Sequence, residues 1–311
     1  MALQATRQRP LYQGKKYFKM RKIFIKKLTQ EASKNKKIVL VVGDLGYGIV
    51  EPFKKKFPDR FFNAGVAEQN MAGLASGLAL RGFHVFIYSI ANFPTFRCAE
   101  QIRNDIDYHK LSVTVVSVGS GLGYGNLGYS HHAIQDYALM RSLPNTLIAA
   151  PSNNQEVEAT VGYLLKNPQP SYLRLDKSLE LNVKKKSFSV KPGSWNFYNS
   201  NKANRTLILS TGSVNAYCKK YLKKNKKCDW ATLPLWGMKY KNPQLNKIKK
   251  YKKVITFENH LQDGGFGSWL NESLIKNKIK IKTQIECKFL SDKVIGKVGS
   301  EEYLNSKYGL D

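Results

Sequence analysis

The chain is expected to fold as α/β, with two doubly wound domains built on mostly parallel sheets. Three observations lead there. Several short runs are apolar throughout instead of alternating, notably Ile38-Val39-Leu40-Val41-Val42 and Val113 to Val118. Such strands are buried on both faces, as in a parallel sheet. These runs alternate with stretches of helical apolar spacing. And 311 residues, 42% of them hydrophobic, suffice for two cores at about 150 residues per domain.

The elements follow in order. Residues 1–19 carry five basic residues and no acid, and are expected to be a flexible basic extension. Met20–Ser33 spaces Ile23, Phe24, Leu28 and Ala32 as a helix does. The run 38–42 is a strand closed by Gly43-Asp44-Leu45-Gly46. Residues 66–80, rich in Ala, Leu and Gly, read as a buried helix, 83–88 as a strand and 96–107 as a helix. A second fully buried strand covers 113–118, and a glycine-rich loop covers 119–130. Helix 134–142, strand 146–150, helix 153–165 and strand 172–175 complete a domain over 20–180. Residues 181–204, basic and polar with Pro192 and Gly193, read as a linker. A second α/β unit over 205–311 begins at Thr206–Ser210. It continues with strands 230–235 and 253–257, and its turn Asp263-Gly264-Gly265-Phe266-Gly267-Ser268 opens a helix.

Charge and cysteine content narrow the class. The chain holds 51 Lys+Arg and 22 Asp+Glu, a net charge of +29. Residues 1–180 contribute 24 basic and 13 acidic residues, residues 181–311 contribute 27 and 9. The lysine runs lack interleaved aromatics and any RNP, KH or finger pattern, which argues against nucleic acid. Solvated surface lysines are the plain reading, with an acidic protein partner next; the excess also steers phosphorylated substrates inward. Cys98, Cys218, Cys228 and Cys287 form no CxxC, so a disulfide scaffold is excluded, no metal site is expected, and reduced cytoplasmic thiols are the default. No run of 18 apolar residues spans a membrane, and the N-terminus lacks the apolar core of a secretory signal.

In open α/β sheets the chemistry gathers at the carboxyl ends of strands. Asp44 and the 119–130 loop are expected there. Glu68, within Gly65-Val66-Ala67-Glu68-Gln69-Asn70, opens a helix whose next turns are small and apolar. A carboxylate there must be desolvated or held by a partner, and such a group suits proton transfer. Taken alone, an acid stabilised by the helix dipole is the simpler account. Phe93 and Phe96 follow a strand, three apart, able to share a face, with Arg97 adjoining. Gly119 to His132 ends in paired histidines, which point apart and so make a poor two-histidine metal site.

Taken together and in order, these pieces carry a resemblance. Gly43-Asp44-Leu45-Gly46, the GVAEQN segment, Phe93-Pro94-Thr95-Phe96, Gly-Tyr-Ser-His-His at 128–132, Arg141 to Thr146 and Ala150-Pro151-Ser152 resemble the pyrimidine-binding domain of transketolases and of deoxyxylulose-phosphate synthase. Residues 205–295 are similar to the transketolase C-terminal domain. The resemblance implies a thiamine diphosphate enzyme. In that family one glutamate, matched by Glu68, hydrogen-bonds N1′ of the aminopyrimidine and so promotes loss of the thiazolium C2 proton. Phe93 and Phe96 match the aromatic pair lining the pyrimidine pocket, while a third aromatic is Ala99 here. Asp44 matches an acid at the pyrimidine edge, and His131 a histidine that bonds substrate hydroxyls near the reacting carbon. Arg97, Arg174 and Lys177 match basic substrate-binding positions.

Two departures matter. Transketolases carry an acid four residues before the histidine, reading a sugar hydroxyl; here it is Leu127. The motif that binds Mg²⁺ and the diphosphate in the family, GDG followed by Asn, is missing from the chain. The resemblance therefore implies the C-terminal subunit of a split transketolase. An N-terminal subunit would carry the GDG motif in a heterotetramer, and the reaction would move a two-carbon ketol unit between sugar phosphates or nucleotide-linked sugars. A decarboxylating subunit, like the synthase or E1β, and a non-catalytic scaffold stand as alternatives.

Overall fold

The computed structural model of the chain describes residues 20–176, 189–276 and 282–310. The extension 1–19, Lys177 and residues 181–188 of the expected linker lie outside the described residues. The strands are β1 (Ile38–Val42), β2 (Phe61–Asn63), β3 (His84–Ile90), β4 (Val113–Val118), β5 (Leu147–Ala149), β6 (Ser171–Leu175), β7 (Asn196–Asn199), β8 (Thr206–Ser210), β9 (Cys228–Thr232), β10 (Leu235–Trp236), β11 (Lys253–Leu261) and β12 (Gln284–Leu290).

They form two sheets, in the orders β10-β5-β6-β4-β3-β1-β2 and β12-β11-β8-β9-β7. Pairing is parallel throughout except for β10 on β5 and β7 on β9. The fold is thus the doubly wound α/β pair that the apolar runs predict. β1 shows why. Val39 and Val41 pack into one core with Met71, Ala72 and Ala75 of the helix Glu68–Leu80. Ile38, Leu40 and Val42 pack into another, with Phe24 and Leu28 of the helix Met20–Ala32 and Val157 and Val161 of the helix Asn154–Lys166. The second of those helices is capped by Asn153, whose side-chain oxygen accepts from the Glu156 amide.

Three features depart from the sequence reading. Asn196–Asn199, inside the stretch expected as linker, is an edge strand of the second sheet. The single strand expected over 230–235 is two: β9 stays in the second sheet, while β10 crosses to the first and pairs antiparallel with β5. Pro234 separates them; with no N–H to give, it suits the break between two strands. β10 carries Trp236 into the first core, which runs on into Leu207, Leu209, Phe266 and Trp269 of the second half. The helix expected over 96–107 is a 3₁₀ turn, one α turn and a π-helical segment Ile102–Asp107. Asp107 is buried there, accepting from Asn145 N and from Thr146 Oγ1 at 2.7 Å.

Candidate active site

Four adjacent strands, β4-β3-β1-β2, end at one edge of the first sheet. The chain just beyond those ends supplies Asp44 after β1, Asn63 at the end of β2, Phe93 after β3 and the loop to His131 after β4. The backbone is bent hard at two of these exits. Asp44 and Ala91, neither a glycine, take positive φ of 54° and 39°. Such strain is tolerated where the surroundings over-determine it. For Ala91 they do: its N–H binds Val118 O, and its carbonyl accepts from Ser117 Oγ at 2.8 Å.

Glu68 is the buried acid of this edge. It is 3% exposed, at the first turn of its helix. Gly43 borders it: a Cβ added there would lie in ordinary contact, 3.7 Å from Glu68 Oε1 and 3.5 Å from Ser89 Oγ. The carboxylate is held by one side chain among the described residues: Arg97 Nη1 sits 3.3 Å from each of its oxygens. Arg97 is 47% exposed. Its guanidinium also lies over the Phe93 ring, with Cζ 3.9 Å from the ring centroid.

Phe93 takes His131 on its edge, ring centroids 5.1 Å apart. Ser130 Oγ meets His131 Nδ1 at 3.0 Å. Burial and the nearby Arg97 charge push the His131 pKa down, so the imidazole is neutral at neutral pH and hydrogen-bonds as a neutral ring. Asp44 is nearer to solvent. Its Oδ1 accepts from Asn63 Nδ2 and from Tyr47 Oη, both at 2.9 Å, and these bonds lower its pKa. Asn63 Oδ1 in turn accepts from the Asp44 and Gly65 amides.

Of the residues expected in the site, Glu68, Phe93, Arg97 and His131 meet in one chain of contacts, and Asp44 lies on the neighbouring loop. Phe96 is 47% exposed and lines a separate groove of about 500 Å³ with Asn92, Tyr129, Ser130, Gln135 and Leu139; it has no contact with Glu68. Arg97, expected on substrate, lies against Glu68 with its guanidinium half in solvent. Arg174 is a correction. Expected near a phosphate, it is buried, with Nε 2.6 Å from Asp136 Oδ2 and Nη2 2.6 Å from Ala133 O. Its Nη1 donates to Asn259 Oδ1 at 2.5 Å, and its face lies on the Tyr137 ring. Every nitrogen of the guanidinium has a protein acceptor, so it ties β6 to β11 and is closed to a ligand. Asn63 and Tyr47, which hold Asp44, are not among the residues that sequence reasoning singles out. The signal for Asn63 is its place at a strand end just before Ala64-Gly65.

The residues fit an aminopyrimidine. A nearly buried carboxyl group with one exchangeable partner can share a proton with a ring nitrogen, and the adjacent phenylalanine offers it an aromatic face. Among the described residues no three His, Cys, Asp or Glu side chains converge as a metal site. No helix of the described residues is long and apolar enough to cross a membrane.

Comparison with known proteins gives the chain its relatives. Residues 16–180 match the family model "Transketolase, pyrimidine binding domain". The chain is 31% identical to a putative transketolase C-terminal section of Methanocaldococcus jannaschii, over 95% of this chain and 93% of that one. It is 29% identical to one subunit of the apulose-4-phosphate transketolase of Actinobacillus succinogenes, over 84% of each. The 1-deoxy-D-xylulose-5-phosphate synthase of Halothermothrix orenii is 31% identical, but the chain spans only 42% of it. Among solved structures, a split-gene transketolase described as an inactive beta4 tetramer superposes with a TM-score of 0.81 at 29% identity, covering 94% of each chain. The transketolase of Campylobacter jejuni superposes at 0.78 with 18% identity and 45% of its length, a likeness of fold.

Proposed function

Because the chain belongs to the transketolase family, as a pyrimidine-binding, C-terminal-type subunit, we propose that it supplies half of a shared active site that holds the aminopyrimidine of thiamine diphosphate. The observation that carries this is the buried Glu68 carboxylate, flanked by Phe93 through Arg97 and tethered, among the described residues, by Arg97 alone. When bound, the cofactor would supply the nucleophilic carbon that ketol transfer from a donor sugar to an acceptor sugar needs.

The chain's residues do the rest. Glu68 places a carboxyl oxygen on N1′ and holds the proton exchanged there. Phe93 stacks against the ring, with Arg97 yielding the carboxylate and keeping its place at the mouth. Asp44, held ionised by Asn63 and Tyr47, borders the pyrimidine edge. Phe96 adds an apolar wall beside the mouth. His131, neutral and anchored through Ser130, donates or accepts at a substrate hydroxyl.

The substrate is a phosphorylated ketose. Arg97, half-exposed beside His131, is the described cation placed to meet its phosphate, and Lys177 belongs to the same proposal. The relatives named for apulose 4-phosphate are in keeping with a ketose phosphate outside the common pentoses. So is Leu127, which is 56% exposed beside the His131 loop and cannot accept a hydroxyl hydrogen bond as an acid would. A hydroxyl left unpaired against it costs about 1–3 kcal/mol. Mg²⁺ and the diphosphate fall to a partner subunit with the GDG motif, in a heterotetramer working in the cytoplasm.

The test is reconstitution. The chain mixed with its diphosphate-binding partner is expected to co-elute as a larger species and to transfer a ketol unit, and Glu68→Gln is expected to lower turnover at least about a hundredfold while the complex still assembles. Full transfer by the chain alone, or an active Glu68→Gln complex, would refute the reading.

A further inference from the structure

The second sheet carries a basic concavity at the edge where its strands begin. β12, β11 and β8 are neighbours and parallel, so the residues entering them stand in a row. Lys253 is opposite both Thr206 and Gln284. The residues just before that row are Arg205, Lys252 and the pair Lys282-Thr283. The backbone locks them side by side: Arg205 O accepts from Lys252 N at 2.8 Å and from Lys253 N at 3.1 Å, and Lys252 O accepts from Gln284 N at 2.9 Å. Arg205 and Lys252 thus stand on neighbouring strands about 4.8 Å apart, with Lys282 one residue before the Thr283 that continues the row. Lys249 and Lys250, after the helix Asn242–Ile248, close the same depression, which measures about 460 Å³ and includes Tyr251 in its wall.

Like charges set side by side on neighbouring strands repel. Elsewhere in this half the repulsion is relieved: Lys253 and Lys288 both take Glu286, and Lys241 takes Glu272. Among the described residues none of the five cations of the depression forms an ion pair. The nearby acids are engaged elsewhere, Glu286 with those lysines and Asp229 with Tyr251 Oη at 2.7 Å and Asn204. Five cations without an ion pair among the described residues share a concavity of small-molecule size, an arrangement that suits an anion carrying several charges.

We propose that this depression binds a small solute carrying two or three adjacent phosphates, at a site separate from the strand ends that bear Glu68. The free polyphosphate chain and the triphosphate of a nucleotide present the same chemistry.

Calorimetric titration of the full chain at about 150 mM salt with inorganic tripolyphosphate, ATP and orthophosphate tests it. One tripolyphosphate per chain is expected, bound at least tenfold tighter than orthophosphate. A nucleotide ligand would show as tighter binding of ATP than of tripolyphosphate, a plain polyphosphate as no gain from the nucleoside; either supports the site. The double variant Lys249→Glu/Lys252→Glu is expected to weaken binding at least tenfold. Lys223→Glu/Lys224→Glu, the same charge change on exposed lysines outside the depression, is expected to weaken it less than twofold. Equal losses in the two variants would mean diffuse attraction by a basic surface and would overturn the proposal, as would no preference over orthophosphate. Neither result touches the reading of Glu68.

Discussion

Two arginine–carboxylate pairs sit in the first half of this chain, and they are built for opposite ends. Arg174 and Asp136 are wholly buried, 2.6 Å apart, with the guanidinium's other donors spent on Ala133, Tyr137 and Asn259. Arg97 and Glu68 meet at 3.3 Å, the carboxylate buried but the guanidinium half in solvent. A pair saturated on all sides cannot trade partners, because any exchange strands a charge in a dry place. A pair that is long and open on one side can, because water and an incoming polar ligand share the cost. The difference marks Asp136–Arg174, through Asn259, as a staple between the two halves and suits Glu68–Arg97 to the proposed site.

The comparison breaks most visibly on function. Glu68→Gln is expected to lower turnover of the reconstituted enzyme on the order of 10²–10⁴-fold, the range for removing a positioned proton-transfer group. Its unfolding midpoint should stay close to that of the parent, since the amide keeps the size of the side chain. If turnover survives, Glu68 is an ordinary helix-terminal acid.

Arg174→Met is the matching blow to the staple. It leaves Asp136 buried without its counter-charge, an expected loss of about 3–5 kcal/mol, read by urea denaturation of the chain. Asp136→Asn with Arg174→Met removes both charges and should recover part of that loss. If the single variant is as stable as the parent, the pair is no staple.

The contrast also explains what is legible in the sequence. β1 and β4 can be placed to the residue because their apolar runs belong to strands buried on both faces. Glu68 can be singled out because an acid opening a small, apolar helix has few plain explanations. Arg174 escapes sequence reasoning for a physical reason: its partners lie 38 and 85 residues away, and a sequence shows which side chains are basic but not which acids fold against them. Phe93 and Phe96 look equivalent at three-residue spacing, yet the 3₁₀ turn Phe96–Cys98 that replaces the expected helix start sends only Phe93 toward His131. β7 and β10 are hidden because both are short antiparallel edge pieces, without the continuous apolar run that betrays a central strand.

Arg97→Met should sharpen the comparison from the other side. Half-exposed ion pairs contribute little, so unfolding should show a change below about 1 kcal/mol, several times less than for Arg174→Met. A loss as large as that of Arg174→Met would mean that Glu68 depends on its arginine as a staple does, and would erase the distinction.

The smallest effect falls on His131. Its pKa lies below the ordinary 6.5 for two reasons, burial first and the Arg97 charge second. A group whose folded pKa is depressed favours the neutral form in the fold, so protonation costs stability as the pH falls from 6.5 through the folded value. Arg97→Met removes the second cause and leaves the first. The His131 ring, followed by its carbon-bound proton resonance over pH 4–8, should titrate at a higher pH than in the parent, yet still not above 6.5. His84 is fully buried and its pKa is pushed to about 4 by desolvation alone, so it should not move and serves as the internal reference. A His131 midpoint unchanged by the substitution would mean that the guanidinium is not over Phe93 in solution. The open pair would then differ from the staple in place as well as in strength.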